Sequence, residues 1–241
     1  MRLSAQQVFD KLVTEYDILN LKGQIRFHIG DVSIIVKQKD VVGNLIQEWL
    51  MGWFDKNNIE FSLNDNSQMP PDYYLNSDDK TTDLLEVKAF NFDATPAFDI
   101  ADFNAYQAEI IDKPYMLHAK YLIFGYIMTG DGDVIIKQIW LKNVWEICRR
   151  MENWSLNLQV KSGVVHKIRP CTWYSTKRTT YRPFESLEHY ISAIEESVFQ
   201  NPKTHSLFGM WRKNFLKSYK KCYNKDLSIP KWSDISEDYN K

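Results

Sequence analysis

Residues 3–20 put Leu3, Val8, Phe9, Leu12, Val13 and Tyr16 on one side of a 3.6-residue wheel, the pattern of an amphipathic helix. The next stretch, GQIRFHIGDVSIIVKQ, alternates instead and predicts two short strands joined near Gly30-Asp31. Helical spacing returns in DVVGNLIQEWLMGWFDKNN, whose apolar stripe reads Val42, Leu45, Ile46, Trp49 and Trp53. PDYYLNSDDKTTDLLEVKAF, residues 71–90, then reads as a hairpin with a long polar turn. Thr95 as an N-cap and Pro96 in a first turn predict a helix to about Asp112, stopping before Pro114. AKYLIFGYIMTGDGDVIIKQIW predicts two strands about a Gly/Asp turn, LKNVWEICRRM a short helix, and SLNLQVKSGVVHKIRP a further strand pair. A polar aromatic loop follows, then helices at about 184–199 and 205–224, and a polar tail expected to be loosely held. This order predicts the α/β class: a central mixed β-sheet flanked by helices.

Composition narrows the picture. A chain of 241 residues with 44% hydrophobic and 14% aromatic content can bury a large core, and reads as one domain. The longest apolar run, YLIFGYIM, is too short to cross a bilayer, and MRLSAQQVFDKLV has no apolar signal-peptide core. A cytoplasmic protein without membrane partners is expected. Cys148, Cys171 and Cys222 are far apart and odd in number, which favours reduced thiols. The histidines lack ligand spacing, so zinc is not expected, and neither is a nucleotide cofactor.

The net charge of -1 hides an asymmetry. Residues 1–152 carry 15 basic against 23 acidic side chains, and residues 153–241 carry 15 against 8. Such an asymmetry fits one part that holds cations and another that meets a polyanion; a chance distribution of surface charge is the alternative.

The opening half contains two acid-x-Lys triplets. Asp78-Asp79-Lys80 lies in a solvated turn, but Glu86-Val87-Lys88 lies in an apolar strand. Alternation sends Glu86 and Lys88 to one face with Leu84 and Phe90, and Leu85, Val87 and Ala89 to the other. The hairpin can fold Asp72 back beside Glu86. Paired carboxylates repel each other, a divalent cation relieves that, and hard oxygen ligands suit Mg²⁺. The cation would activate a water and neutralise charge on a phosphate, with Lys88 orienting the water or stabilising the phosphorus. An exposed hairpin with a cross-strand salt bridge fits the spacing too. Glu48, at the edge of its helix's apolar stripe, could aim a third carboxylate at the metal; an ordinary boundary glutamate reads equally well.

The basic half contains an acid-free segment. Lys161, Lys167, Arg169, Lys177, Arg178 and Arg182 alternate with Trp173, Tyr174, Tyr181 and many hydroxyls, a supply suited to phosphate contacts and base readout. A solvated loop is the alternative. KTHSLFGMWRKNFLKSYKKCYNK is acid-free as well, but its aromatic spacing is helical and points to core packing.

Beyond spacing, PD…LEVK resembles the signature of the PD-(D/E)xK nuclease superfamily. DVVGNLIQEW, PD and LEVKAFNFDATPAFDIADFNAY together resemble the type II restriction endonucleases of the NgoBV/NlaIV group. The likeness runs on through LIFGY, WLK–WE and LQVK…IRP, over roughly residues 40–173. It implies a restriction-endonuclease-like fold and a Mg²⁺-dependent bacterial homodimer that cuts both strands of double-stranded DNA at a short palindrome, GGNNCC for this group. It also implies metal ligation by Asp72 and Glu86 and a catalytic Lys88. The catalytic core would span about 40–160, with a basic, DNA-contacting helical part at about 161–230. The rival readings are a repair or recombination nuclease without sequence specificity and a non-catalytic DNA-binding module. The intact Asp/Glu/Lys set argues against the last.

Overall fold

The structure, a computed structural model, describes residues 1–66 and 69–240. Its first elements are α1 (Ala5–Asp10), β1 (Lys22–Gln24), β2 (Arg26–Ile29), β3 (Val32–Ile35) and α2 (Val42–Lys56). Then come β4 (Ser62–Leu63), β5 (Tyr73–Tyr74), β6 (Leu84–Asn91), β7 (Ala101–Asp102), α3 (Phe103–Asp112), β8 (Lys120–Met128) and β9 (Asp133–Asn143). β10 (Leu158–Lys161), β11 (Val164–Ile168), α4 (Leu187–Gln200), α5 (Phe208–Tyr223) and α6 (Trp232–Ile235) complete the order. These elements form two compact units.

The first unit, residues 1–65, 71–98 and 120–142, is built on a six-stranded sheet in the order β1-β9-β8-β6-β5-β4. The sheet is mixed, as expected: β6 runs parallel to β8, while β5 pairs with β6 and β1 with β9 in antiparallel register. Strand alternation sends Leu85, Val87 and Ala89 into a core shared with Val8 and Leu12 and with Ile46, Leu50 and Phe54 of α2. On the other face Phe90 stacks on Trp140 at 5.8 Å. A Cβ on Gly125 would lie 2.8 Å from the Phe92 ring and 3.1 Å from Trp140, so only glycine lets this aromatic cluster close over the strand.

Two expectations for this unit change. The first helix is shorter than 3–20: a Ser4/Gln7 capping box starts it, it widens to a π-helical turn at Lys11–Glu15, and Asp17 breaks it at φ 52°. On α2 the buried stripe is Val42, Ile46, Leu50, Trp53 and Phe54, whereas Leu45 and Trp49 are each 38% exposed. The long turn after β5 is ordered. Buried Asn76 accepts from the amides of Asp78 and Asp79 through Oδ1 and donates to Thr82 Oγ1 at 2.8 Å.

The second unit is built mainly from residues 99–119 and 143–240. It pairs a three-stranded sheet, β10-β11-β7, with helices α3, α4 and α5. The expected helix from Thr95 begins only at Phe103, capped by Asp102, whose Oδ1 accepts from the Ala105 amide. Ala101 and Asp102 are held as strand by Ile168 and Lys167. Tertiary pairing overrides the local Thr-Pro signal. The helix expected in LKNVWEICRRM shrinks to a 3₁₀ turn at Val144–Ile147, because β9 continues to Asn143. The tail is anchored, contrary to the expectation: Tyr239 is fully buried among Phe184, Trp232 and His189. Cys148, Cys171 and Cys222 are free thiols. Among the described residues no helix is long and apolar enough to cross a membrane.

Candidate active site

The register of the β5–β6 pair builds the site. Tyr73 lies opposite Leu85 and Tyr74 opposite Leu84, so Asp72, one residue before β5, arrives beside Glu86 on the same face. Val87 N–H donates to Asp72 Oδ2 at 2.7 Å, fixing that approach. Gln47, from α2, donates through Nε2 to Asp72 Oδ1 at 2.9 Å. The Tyr73 hydroxyl donates to the Gln47 carbonyl at 2.8 Å, tying helix to strand. Lys88 Nζ stands 2.7 Å from Glu86 Oε1, an ion pair along one strand face.

Glu86 is 4% exposed, and its Oε2 is buried without a hydrogen-bond partner among the described residues. A bare carboxylate oxygen inside a protein is costly, unless the site holds a cation or a proton. Burial pushes the Glu86 carboxyl up to about 7; the negative charge of Asp72 adds to this and Lys88 opposes it. Burial also raises Asp72, against the Val87 amide, Lys88 and Gln47, which favour its charged form. The bare oxygen and the two adjacent carboxylates fit a hard divalent cation that keeps part of its water shell.

That burial has a price in stability with a definite sign. Because the folded carboxyl titrates near 7, above its ordinary 4.5, Glu86 favours the folded state below 4.5 and loses that contribution as pH rises through about 7. Metal-free Glu86→Gln is therefore expected to be more stable than the wild type at pH 8 by roughly 2–3 kcal/mol, the gain vanishing toward pH 5. Thermal midpoints in a chelating buffer across that range check it; equal midpoints at pH 8 would contradict it.

Glu48 is exposed, and among the described residues no three His, Cys, Asp or Glu side chains converge as a metal cluster. The α2 residue that hydrogen-bonds Asp72 is its neighbour Gln47, while the charge of Glu48 acts on Tyr73, next to Asp72. Sequence reading missed Gln47 because an amide carries no ligand signal. The available clue was helical phase: Gln47 follows Ile46, which faces the sheet.

The family model described as NgoBV restriction endonuclease matches residues 2–239. The chain belongs to the NgoBV restriction endonuclease family. It is 58% identical over 241 residues to the type II restriction enzyme NlaIV of Neisseria lactamica, covering all of this chain and 99% of that one. It is 54% identical over 163 residues to the type II restriction enzyme NgoBV of Neisseria gonorrhoeae, covering 68% of this chain and 93% of the relative. A solved structure of the NlaIV restriction endonuclease superposes with a TM-score of 0.97 at 58% identity, over the whole chain and 98% of its counterpart. This NgoBV-family chain is thus a type II restriction endonuclease, with the mixed α/β fold expected of it.

The segment expected to hold DNA lies in the second unit of this NgoBV-family endonuclease. Lys161, at the β10–β11 turn, is exposed, as are Lys177 and Arg178, the latter hydrogen-bonded to Tyr174. Arg169 pairs with Asp99, and Lys167 stands 3.9 Å from Asp102. Arg182 pairs with Glu185, donates to the Asp238 carbonyl and lies 4.8 Å over the Tyr239 ring. Trp173 is half-buried, edge-on to Tyr174 at 5.4 Å.

Proposed function

We propose that the protein is a Mg²⁺-dependent homodimer of the bacterial cytoplasm that hydrolyses both strands of double-stranded DNA at GGNNCC. The observation that carries the catalytic part is Glu86, with one oxygen paired to Lys88 at 2.7 Å and the other buried and bare, beside Asp72. Asp72 and Glu86 would hold Mg²⁺, which when bound activates water and offsets charge on the phosphate. Asp72 is kept in place for this by Gln47 and the Val87 amide. Lys88, anchored by Glu86, orients the attacking water in line with the scissile bond. It also donates to the phosphoryl oxygen where charge develops. A palindrome read with twofold symmetry calls for two copies. The target GGNNCC rests on the likeness to the NgoBV/NlaIV group.

Both units act as one nuclease module. Lys161, Lys177 and Arg178 supply phosphate contacts from the second, while Lys167, Arg169, Trp173 and Arg182 shape the segment that presents them. Purified protein incubated with plasmid and Mg²⁺ is expected to give discrete fragments whose ends map to GGNNCC. A smear would mean a nuclease without sequence specificity. Binding without cleavage would mean a DNA-binding module.

A further inference from the structure

The β2–β3 hairpin pairs Phe27 with Ile34 and Ile29 with Val32, so four large apolar side chains share one face, while His28 and Ser33 take the other. Phe27, Ile29, Val32 and Ile34 are 55%, 67%, 61% and 54% exposed. A two-stranded ribbon is marginal by itself in water, and an apolar face left this open marks a contact surface. The same unit contains an apolar groove of about 520 Å³ lined by Leu21, Ile25, Leu45, Ile46, Trp49 and Val134. Leu45 and Trp49, which the sequence pattern assigns to the core, are exposed there instead. The hairpin tip carries exposed Asp31, and the groove includes exposed Lys22.

We propose that the hairpin is an exchanged arm: its apolar face fills the groove of a second copy, whose own arm returns the contact. The proposal rests on the homodimer reading above and names its surface. A protrusion and a matching hollow on one chain, with opposite charges at tip and groove, are complementary to each other, and reciprocal insertion closes the pair about a twofold axis. Size points the same way. Four half-exposed side chains offer roughly 400 Å² of apolar surface, about half of the ~800 Å² each partner contributes to a standard interface. Arm and groove engaged together on each protomer bring the buried area closer to that size. DNA fits the face less well, since it offers phosphate only apolar carbon and an aspartate.

Sedimentation equilibrium on three full-length proteins tests this: the wild type, Phe27→Asp/Ile29→Asp on the arm, and Leu45→Glu/Trp49→Glu in the groove. In a fourth, residues 26–35 are replaced by a two-glycine turn, which the Val36 N–H to Ile25 carbonyl bond of 2.8 Å allows. The wild type is expected to be a dimer. The point variants should keep their circular dichroism, the deletion should lose only the hairpin's contribution, and all three should dissociate at least about 100-fold more readily, equivalent to ~2.7 kcal/mol. If the variants dimerise like the wild type, the arm exchange is wrong while the homodimer stands. A wild type that cuts its site as a monomer would remove the homodimer and the exchange together. Variants that stay dimeric but lose DNA affinity would make the arm a DNA contact and overturn the proposal.

Discussion

Asp72→Asn is expected to slow single-turnover cleavage on the order of 10³-fold or more, equivalent to at least about 4 kcal/mol of barrier. The substitution keeps the shape of the side chain and removes its charge. It leaves Gln47 and the Val87 amide facing a neutral amide, and a cation would then find one anionic ligand where it had two. DNA affinity in the absence of cleavage should stay within a few-fold of wild type, because the loss falls on the chemistry and removes a negative charge near phosphate. Lys88→Ala should behave alike in rate, since it removes the cation paired with Glu86 Oε1. Cleavage by either variant within tenfold of wild type would mean that the centre lies elsewhere.

The second large effect concerns stability. Arg212 of α5 donates through Nε to Glu195 Oε1 and Oε2 at 2.8 and 2.9 Å, and pairs with the same carboxylate through Nη2. It also donates to the carbonyls of Ile229 at 2.9 Å and Pro230 at 3.1 Å, holding the chain that leads into the tail. Glu195 is only 8% exposed. Arg212→Ala would leave that carboxylate and two carbonyls without their donors. A loss of about 3 kcal/mol is expected, less than a fully buried pair would show because Arg212 is partly solvated. In a chain of this length that corresponds to a thermal midpoint lower by roughly 6–12 °C. The double change Arg212→Met/Glu195→Leu should recover most of it, because no charge is then left buried. A drop of under 2 °C for Arg212→Ala would show the pair to be incidental.

The strand that brings Glu86 and Lys88 beside Asp72 was legible because its signal is local. Period-two alternation in DLLEVKAF separates the core face of Leu85, Val87 and Ala89 from the face of Glu86 and Lys88, and a hairpin needs no distant information to bring Asp72 alongside. What failed depended on distant partners. Ala101 and Asp102 are strand only because β11, more than sixty residues later, pairs with them. The phase of α2 against the sheet is set by the packing of Ile46 and Leu50, which turns Gln47 toward Asp72 and leaves Leu45 and Trp49 outward. The basic run from Lys161 to Arg182 is acid-free as a string. In space, however, Asp99, Asp102 and Glu185 reach three of its cations, two of them from elsewhere in the sequence. An acid-free segment therefore overstates the charge it presents.

Asp72 and Glu86 as joint metal ligands are tested most directly by anomalous scattering from a crystal of the protein with duplex DNA and Mn²⁺, a close stand-in for Mg²⁺. An anomalous peak is expected within coordinating distance of an Asp72 carboxylate oxygen and of Glu86 Oε2, and it should vanish in Asp72→Asn. A peak held by other side chains, with Glu86 Oε2 still bare, would contradict it.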